Sequence, residues 1–227
     1  MTLISRINRA LVLAPHPDDE ILGCGGTIAR ITAGAGTVAV AIVTRGQPPR
    51  FDAAQADEVR AEAIEAHGLL GISETHFLDL PAAELDRMSH ADLNHAIATV
   101  IARTSPDTLF IPFVGDLHLD HRLVFDAAMV AARPRGQDYP VRIIAYETVS
   151  ETNWSAPTLS PSFTPNLFVD ISDHLGAKLD AFSRFASQVR PFPDERSLET
   201  LRALALVRGA NVSRSAAEAF MLIREVS

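Results

Sequence analysis

The run Pro15-His16-Pro17-Asp18-Asp19-Glu20 places one imidazole and three carboxylates within five residues, directly after the apolar stretch Leu11-Val12-Leu13-Ala14. A neutral imidazole and a carboxylate are ligands for a borderline divalent cation, and a further carboxylate beside them can act as base toward a water there. The same residues also make an ordinary acidic turn, because Pro and Asp favour turns and acids favour the first turn of a helix. A second concentration of metal-capable residues, Gly115-Asp116-Leu117-His118-Leu119-Asp120-His121, follows the apolar run 108–112. His118 and His121 stand three apart, near enough to reach one centre from a single turn. Either histidine alone reads as a satisfied core or surface residue. Two such clusters, each placed just after an apolar run, read instead as the halves of one site.

Joining the halves requires a frame. Short runs rich in Val, Ile and Phe alternate with longer Ala-rich, charge-bearing stretches, the pattern of repeated βα units around a parallel sheet. Strands are expected at 10–14, 38–44, 76–80, 108–112 and 142–146, with helices at 21–33, 53–70, 90–103 and 119–132 between them. In 53–70, Val59, Ala63, Ala66 and Leu70 recur at helical spacing while Asp57, Glu58, Arg60, Glu62 and Glu65 fill other positions; this reads as a layer on the sheet. A strand at 166–171, helices at 172–188 and 196–208, a Pro-punctuated turn at 190–194 and a closing segment at 219–225 complete the chain. Residues 147–164, which hold the sole tryptophan, Trp154, lack periodicity and read as a long loop. The expected fold class is therefore α/β, a Rossmann-like three-layer sandwich with a mostly parallel central sheet, in one domain over 1–227. Ligands of such sheets collect beyond the carboxyl ends of the strands. Both clusters fall there.

The net charge of −8 argues against gripping nucleic acid or an anionic membrane, and points to a small-molecule substrate. A single cysteine, Cys24, excludes an intramolecular disulfide and a Cys-rich zinc ribbon, so a reducing cytoplasm is the expected location. No run approaches the roughly 18 apolar residues of a membrane span. Gly23, Gly25 and Gly26 do not form the dinucleotide fingerprint and read as close-packing positions of the first helix, with Cys24 as a small buried hydrophobe. His67, His76, His90, His95 and His174 have no carboxylate in comparable spacing and read as structural.

At these residues the sequence resembles the LmbE-like, or PIG-L, family of zinc-dependent de-N-acetylases, whose motifs are Pro-His-Pro-Asp-Asp-Glu and His-x-Asp-His. Leu22-Gly23-Cys24-Gly25-Gly26-Thr27, Thr44-Arg45-Gly46, Arg208-Gly209 and Ala217-Glu218-Ala219-Phe220 extend the likeness over nearly the whole chain. The resemblance implies that His16, Asp19 and His121 hold Zn2+, with Fe2+ or Co2+ as alternatives. It further implies that Asp18 is the general base, that His118 is the general acid or stabilises the oxyanion, and that Asp120 orients His118. Glu20 reads as a supporting acid. Arg60, out of register with the family's substrate arginine, and Trp154, able to stack on a sugar ring, are the candidate substrate contacts. The implied activity is removal of the N-acetyl group from an N-acetylglucosamine-like sugar or conjugate, water activated at the metal attacking the amide carbonyl. An amidase of thiol-sugar or other N-acyl conjugates and a non-catalytic sugar- or nucleotide-binding module are the alternatives. A homo-oligomer is compatible with all three.

Overall fold

The structure is a computed structural model and describes residues 4–135 and 139–227. Strands β1 (Arg9–Ala14), β2 (Thr37–Arg45), β4 (Thr108–Pro112) and β5 (Arg142–Tyr146) are buried almost end to end. Burial on both faces is why they read as unbroken apolar runs rather than as alternating ones. The alternation is present but hidden: Val12 and Ala14 enter one hydrophobic cluster, Leu11 and Leu13 the other. Helices α1 (Asp19–Thr32), α2 (Ala53–Leu69), α5 (Leu175–Phe182) and α6 (Leu198–Ala210) cover the first face. Helices α3 (His90–Thr104) and α4 (Leu119–Ala131) cover the second. With β3 (Glu74–Pro81), β6 (Leu167–Asp170) and β7 (Ala217–Glu225), the sheet has seven strands in the order β3-β2-β1-β4-β5-β7-β6. It is parallel from β3 to β5, while β7 runs antiparallel to both its neighbours. The expected α/β sandwich with a mostly parallel sheet is the one observed.

Strand order reverses between β1, which leads to β2 and β3, and β4, which leads to β5. The crevice beyond the carboxyl ends of β1 and β4 is therefore the topological switch point. The two motif runs leave these two strands.

Several element ends differ from the sequence reading; α1 and β3 each begin two residues earlier than expected, at Asp19 and Glu74. The helix expected at 172–188 is confined to Leu175–Phe182: past it the Arg184 and Phe185 N–H groups turn to the carbonyls three residues back (3.1 and 3.0 Å), Phe185 is buried, and further on Glu62 accepts the Ser187 N–H (2.8 Å) and hydroxyl (2.6 Å). The helix expected at 196–208 is shifted to Leu198–Ala210 by Ser197, whose Oγ accepts from Thr200 N at 3.1 Å as an N-cap. The closing strand begins two residues earlier than expected, at Ala217. Among the described residues no helix is long and apolar enough to cross a membrane.

Helix α1 lies unusually close to the sheet. A Cβ on Gly23 would meet the Tyr146 ring, and one on Gly26 would lie 2.7 Å from Ile171, so the close-packing reading of these glycines holds. Cys24 is fully buried, which pushes its thiol pKa well up and leaves it inert.

Candidate metal centre

His16 sits in the turn after β1, and this turn is tied to β2 because Thr44 donates to the Pro15 carbonyl through both its N–H (3.0 Å) and its hydroxyl (2.8 Å). Asp18 then adopts φ 108°, a left-handed conformation that L-residues other than glycine rarely take. Such a residue costs on the order of 1–3 kcal/mol and persists only where its surroundings over-determine it. It starts α1: the N–H groups of Ile21 and Leu22 both reach its carbonyl at 2.9 Å. Asp19, in the first helical turn, accepts the His16 N–H at 2.8 Å. From the opposite side, His118 N-caps α4 with its Nδ1 accepting from Asp120 N at 3.1 Å, and the following turn carries His121 inward.

The two halves meet at Asp19. Its Oδ2 lies 3.3 Å from His16 Nδ1 and 3.2 Å from His121 Nε2. The other nitrogen of each ring is already engaged, His16 Nε2 with Asp120 at 3.1 Å and His121 Nδ1 with Asp116 at 2.9 Å. Carboxylates behind two imidazoles fix their tautomers and turn one free nitrogen of each toward a common point, the arrangement found around ligated metals. His121 Nε2 is buried and makes no hydrogen bond, an orphaned atom that a cation would satisfy. A second grouping, His16, His118 and Asp120, also brings ligand atoms together. It fits less well, since His118 Nδ1 already accepts from Asp120 N and Asp120 Oδ2 already accepts from Ala83 N at 2.7 Å. The His16, Asp19 and His121 set offers two nitrogens and one oxygen with room for water, the donor set of a catalytic rather than a structural divalent site.

The electrostatics agree. Burial opposes a charge on His16, but hydrogen bonds to Asp120 and Asp19 outweigh it and raise its pKa. His121, against the same opposition from burial, is raised to about 10 by Asp19 and Asp116. Burial would raise the pKa of Asp19, yet the two imidazoles hold it far below the carboxylate range. Asp19, Asp116 and Asp120 concentrate negative charge around the His16 and His121 imidazoles, and a divalent cation can replace the protons these would otherwise bind. His118 differs. Burial and the neighbouring His16 lower its pKa, favouring a neutral ring.

A cavity of about 370 Å3 opens over His16, Asp18, Asp19 and His118. Its far wall includes Gln55, Val59 and Arg60 of α2 and Phe77 and Asp79 of β3, so α2 is more than a covering layer. Arg60 donates to Asp79 at 2.8 Å and stacks over Phe77, 3.8 Å from the ring centroid. Trp154 does not line this cavity. It is two-thirds exposed, and its Nε1 donates to Glu195 at 2.9 Å, fastening the 147–164 loop to the segment before α6. Asp120 is placed on His16 and the Ala83 N–H; its carboxylate stands 3.9 Å from His118 Nδ1, too far to orient that ring by a hydrogen bond.

Sequence reasoning missed three residues. Arg196 forms an ion pair with Asp18 across 178 positions of sequence, a separation that leaves no local signal. Glu151, from the long loop, lines the cavity and accepts the His118 N–H at 3.1 Å. Asp116 lay within the second cluster, and its five-residue spacing to His121 was the available sign of its role behind that ring. His67, read as structural, is buried and meets a carboxylate, Glu20, that is remote in sequence.

A diacetylchitobiose deacetylase from Thermococcus kodakarensis is 28% identical over 203 residues, covering 83% of this chain and 72% of its own. A 2'-N-acetylparomamine deacetylase from Streptomyces fradiae is also 28% identical, over 229 residues, covering 87% and 78%. The crystal structure of a conserved protein from Thermus thermophilus superposes with a TM-score of 0.77 at 26% identity, covering 96% of each chain. The PIG-L family profile, described as GlcNAc-PI de-N-acetylase, matches residues 11–132, more than half the chain and both halves of the centre just described. This protein belongs to the PIG-L family.

Proposed function

We propose that this chain, acting as a single domain, is a divalent-metal-dependent hydrolase that removes the acetyl group from the 2-acetamido group of an N-acetylglucosamine-like sugar or conjugate. The observation that carries this reading is the convergence of His16 Nδ1, Asp19 Oδ2 and the buried His121 Nε2, which makes no hydrogen bond, beside a cavity that His16, Asp18, Asp19 and His118 line. The donor set suits Zn2+ first, with Fe2+ or Co2+ as alternatives. A cation bound there supplies Lewis acidity toward the amide carbonyl and lowers the pKa of a water to about 7.

The chain's own residues supply the rest. Asp18 takes one proton from the attacking water and returns it to the amine nitrogen as the C–N bond breaks, giving acetate and the free amine. The Arg196 guanidinium holds the Asp18 carboxylate at the cavity. His118, with Nδ1 occupied by the Asp120 N–H, carries its proton on Nε2 and donates from there to the developing oxyanion. Asp116 and Asp120 hold the ligand rings. Arg60 and Phe77 form the wall available to the sugar.

The test is a panel of N-acetylglucosamine, N,N'-diacetylchitobiose and nucleotide- and thiol-linked N-acetyl sugars given to metal-loaded protein, with amine and released acid both measured. Equimolar amine and acetate from one member, lost in Asp18→Ala by about 100-fold or more while metal content is unchanged, is the expected result. Full activity in Asp18→Ala, or no product from any acetamido sugar, sinks the reading.

A further inference from the structure

Glu20 is completely buried next to Asp19, does not line the cavity, and no step above uses it. Its two carboxylate oxygens are both committed. Oε2 accepts the backbone N–H of Asp18 at 3.1 Å, and Oε1 meets Nε2 of His67, near the end of α2, at 3.0 Å. His67 is itself buried, and its Nδ1 meets Thr75 Oγ1 on β3 at 2.8 Å. One hydrogen-bond assignment satisfies every partner with a neutral ring: the Thr75 hydroxyl donates to Nδ1, and Nε2–H donates to the carboxylate.

A buried carboxylate is costly to retain, and filling the same space with an apolar side chain is often no less stable. Packing alone therefore does not explain this chain of contacts. What it touches does. The φ and ψ of Asp18 are rotations between two peptide planes. The plane after Asp18 is fixed by Ile21 and Leu22, whose N–H groups hold its carbonyl. The plane before it is fixed through the Asp18 N–H, by Glu20. With both planes pinned, a left-handed conformation that Asp18 would otherwise leave becomes the only one available, and the direction of its side chain follows.

We propose that Glu20, His67 and Thr75 form a buried strut that locks the Asp18 backbone in its left-handed conformation and thereby aims the Asp18 carboxylate. His67 and Glu20 are thus positioning residues for the hydrolysis. The inference rests on the reading of Asp18 as the base.

The experiment compares His67→Leu, which removes the donor, with His67→Gln, which returns an N–H near the position of Nε2. The readouts are metal per chain, kcat and KM on N,N'-diacetylchitobiose or the panel sugar the wild type hydrolyses fastest, and a crystal structure of His67→Leu. A positioning role predicts full metal content, KM within about twofold, and kcat lowered about tenfold to a hundredfold in His67→Leu. It also predicts recovery of most of that loss in His67→Gln, and an Asp18 that has left positive φ in the His67→Leu structure. Unchanged kcat, kcat falling only in step with metal content, or an unmoved Asp18 overturns the strut. Should His67→Leu not fold, the near-isosteric Glu20→Gln, whose amide cannot accept from both partners in the same way, is held to the same outcomes. Asp18→Ala separates the two claims. If it is active the base assignment has failed, whereas an inactive Asp18→Ala beside a fully active His67→Leu fails the strut alone.

Discussion

His16 and His121 each turn one nitrogen toward Asp19 and the other to a carboxylate behind the ring, so in the proposed centre those carboxylates set how well the rings bind. Asp116 is the clearest case, since its Oδ2 holds His121 Nδ1 while its Oδ1 accepts from the Thr152 hydroxyl at 2.6 Å. Asp116→Asn should weaken metal binding by about 10–100-fold with the fold intact, measured by competition with a chelator. His121→Ala, which removes a proposed ligand outright, should leave purified protein without stoichiometric metal under the same titration. The residues of the candidate centre were legible because His16, Asp18 and Asp19 lie within four positions and His118 and His121 within the same span of the second run. Residues that support them from a distance were not. Arg196, Glu151 and His67 reach the centre only because strands and helices far apart in sequence fold against it, and no spacing rule encodes such contacts. Asp120 was legible as a site residue, yet its partner was not, because a carboxylate two residues from one histidine was turned toward another.

The seating of α1 connects packing to chemistry, since this helix carries Asp19. Lys178 and Glu218, both buried, enter its hydrogen-bond ladder: Lys178 donates to the Leu22 carbonyl at 2.7 Å, and Glu218 accepts the N–H groups of Gly26 (2.9 Å) and Thr27 (2.7 Å). The pair closes on itself at 2.6 Å. Lys178→Met should leave Glu218 an uncompensated buried charge and cost about 3–5 kcal/mol in denaturant unfolding. On the other side, Tyr146 is anchored through its hydroxyl to the Leu13 carbonyl at 2.8 Å and cannot yield to a methyl group on Gly23. Gly23→Ala should cost about 1–3 kcal/mol and lower metal affinity as well, because lifting α1 lifts Asp19. Repeated βα units made these elements readable from the sequence. Their ends were less so where tertiary bonds competed with helical ones, as beyond α5, where Glu62 rather than a helical carbonyl accepts the Ser187 N–H.

Across the whole molecule a cation held by His16, Asp19 and His121 would tie the β1 side of the crevice to the β4 side, so binding it would stabilise the folded state over the unfolded one. At a free metal concentration 100 times Kd the gain is about 2.7 kcal/mol, and chelation should lower Tm by about 5–10 °C, reversibly on metal return, as read by scanning calorimetry. The mostly parallel sheet was foreseeable, but strand order was not, because nothing local marks β7 as the strand that slides between β5 and β6. That insertion has a consequence for synthesis. The ribosome delivers β6 before β7, and until residues 217–225 emerge β6 has no neighbour to pair with and β5 presents an open edge. Glu218 arrives on the same strand, so the helix that bears Asp19 is among the last parts of the nascent chain to gain its partners. The centre begins near residue 16 and is completed only when translation has passed residue 218.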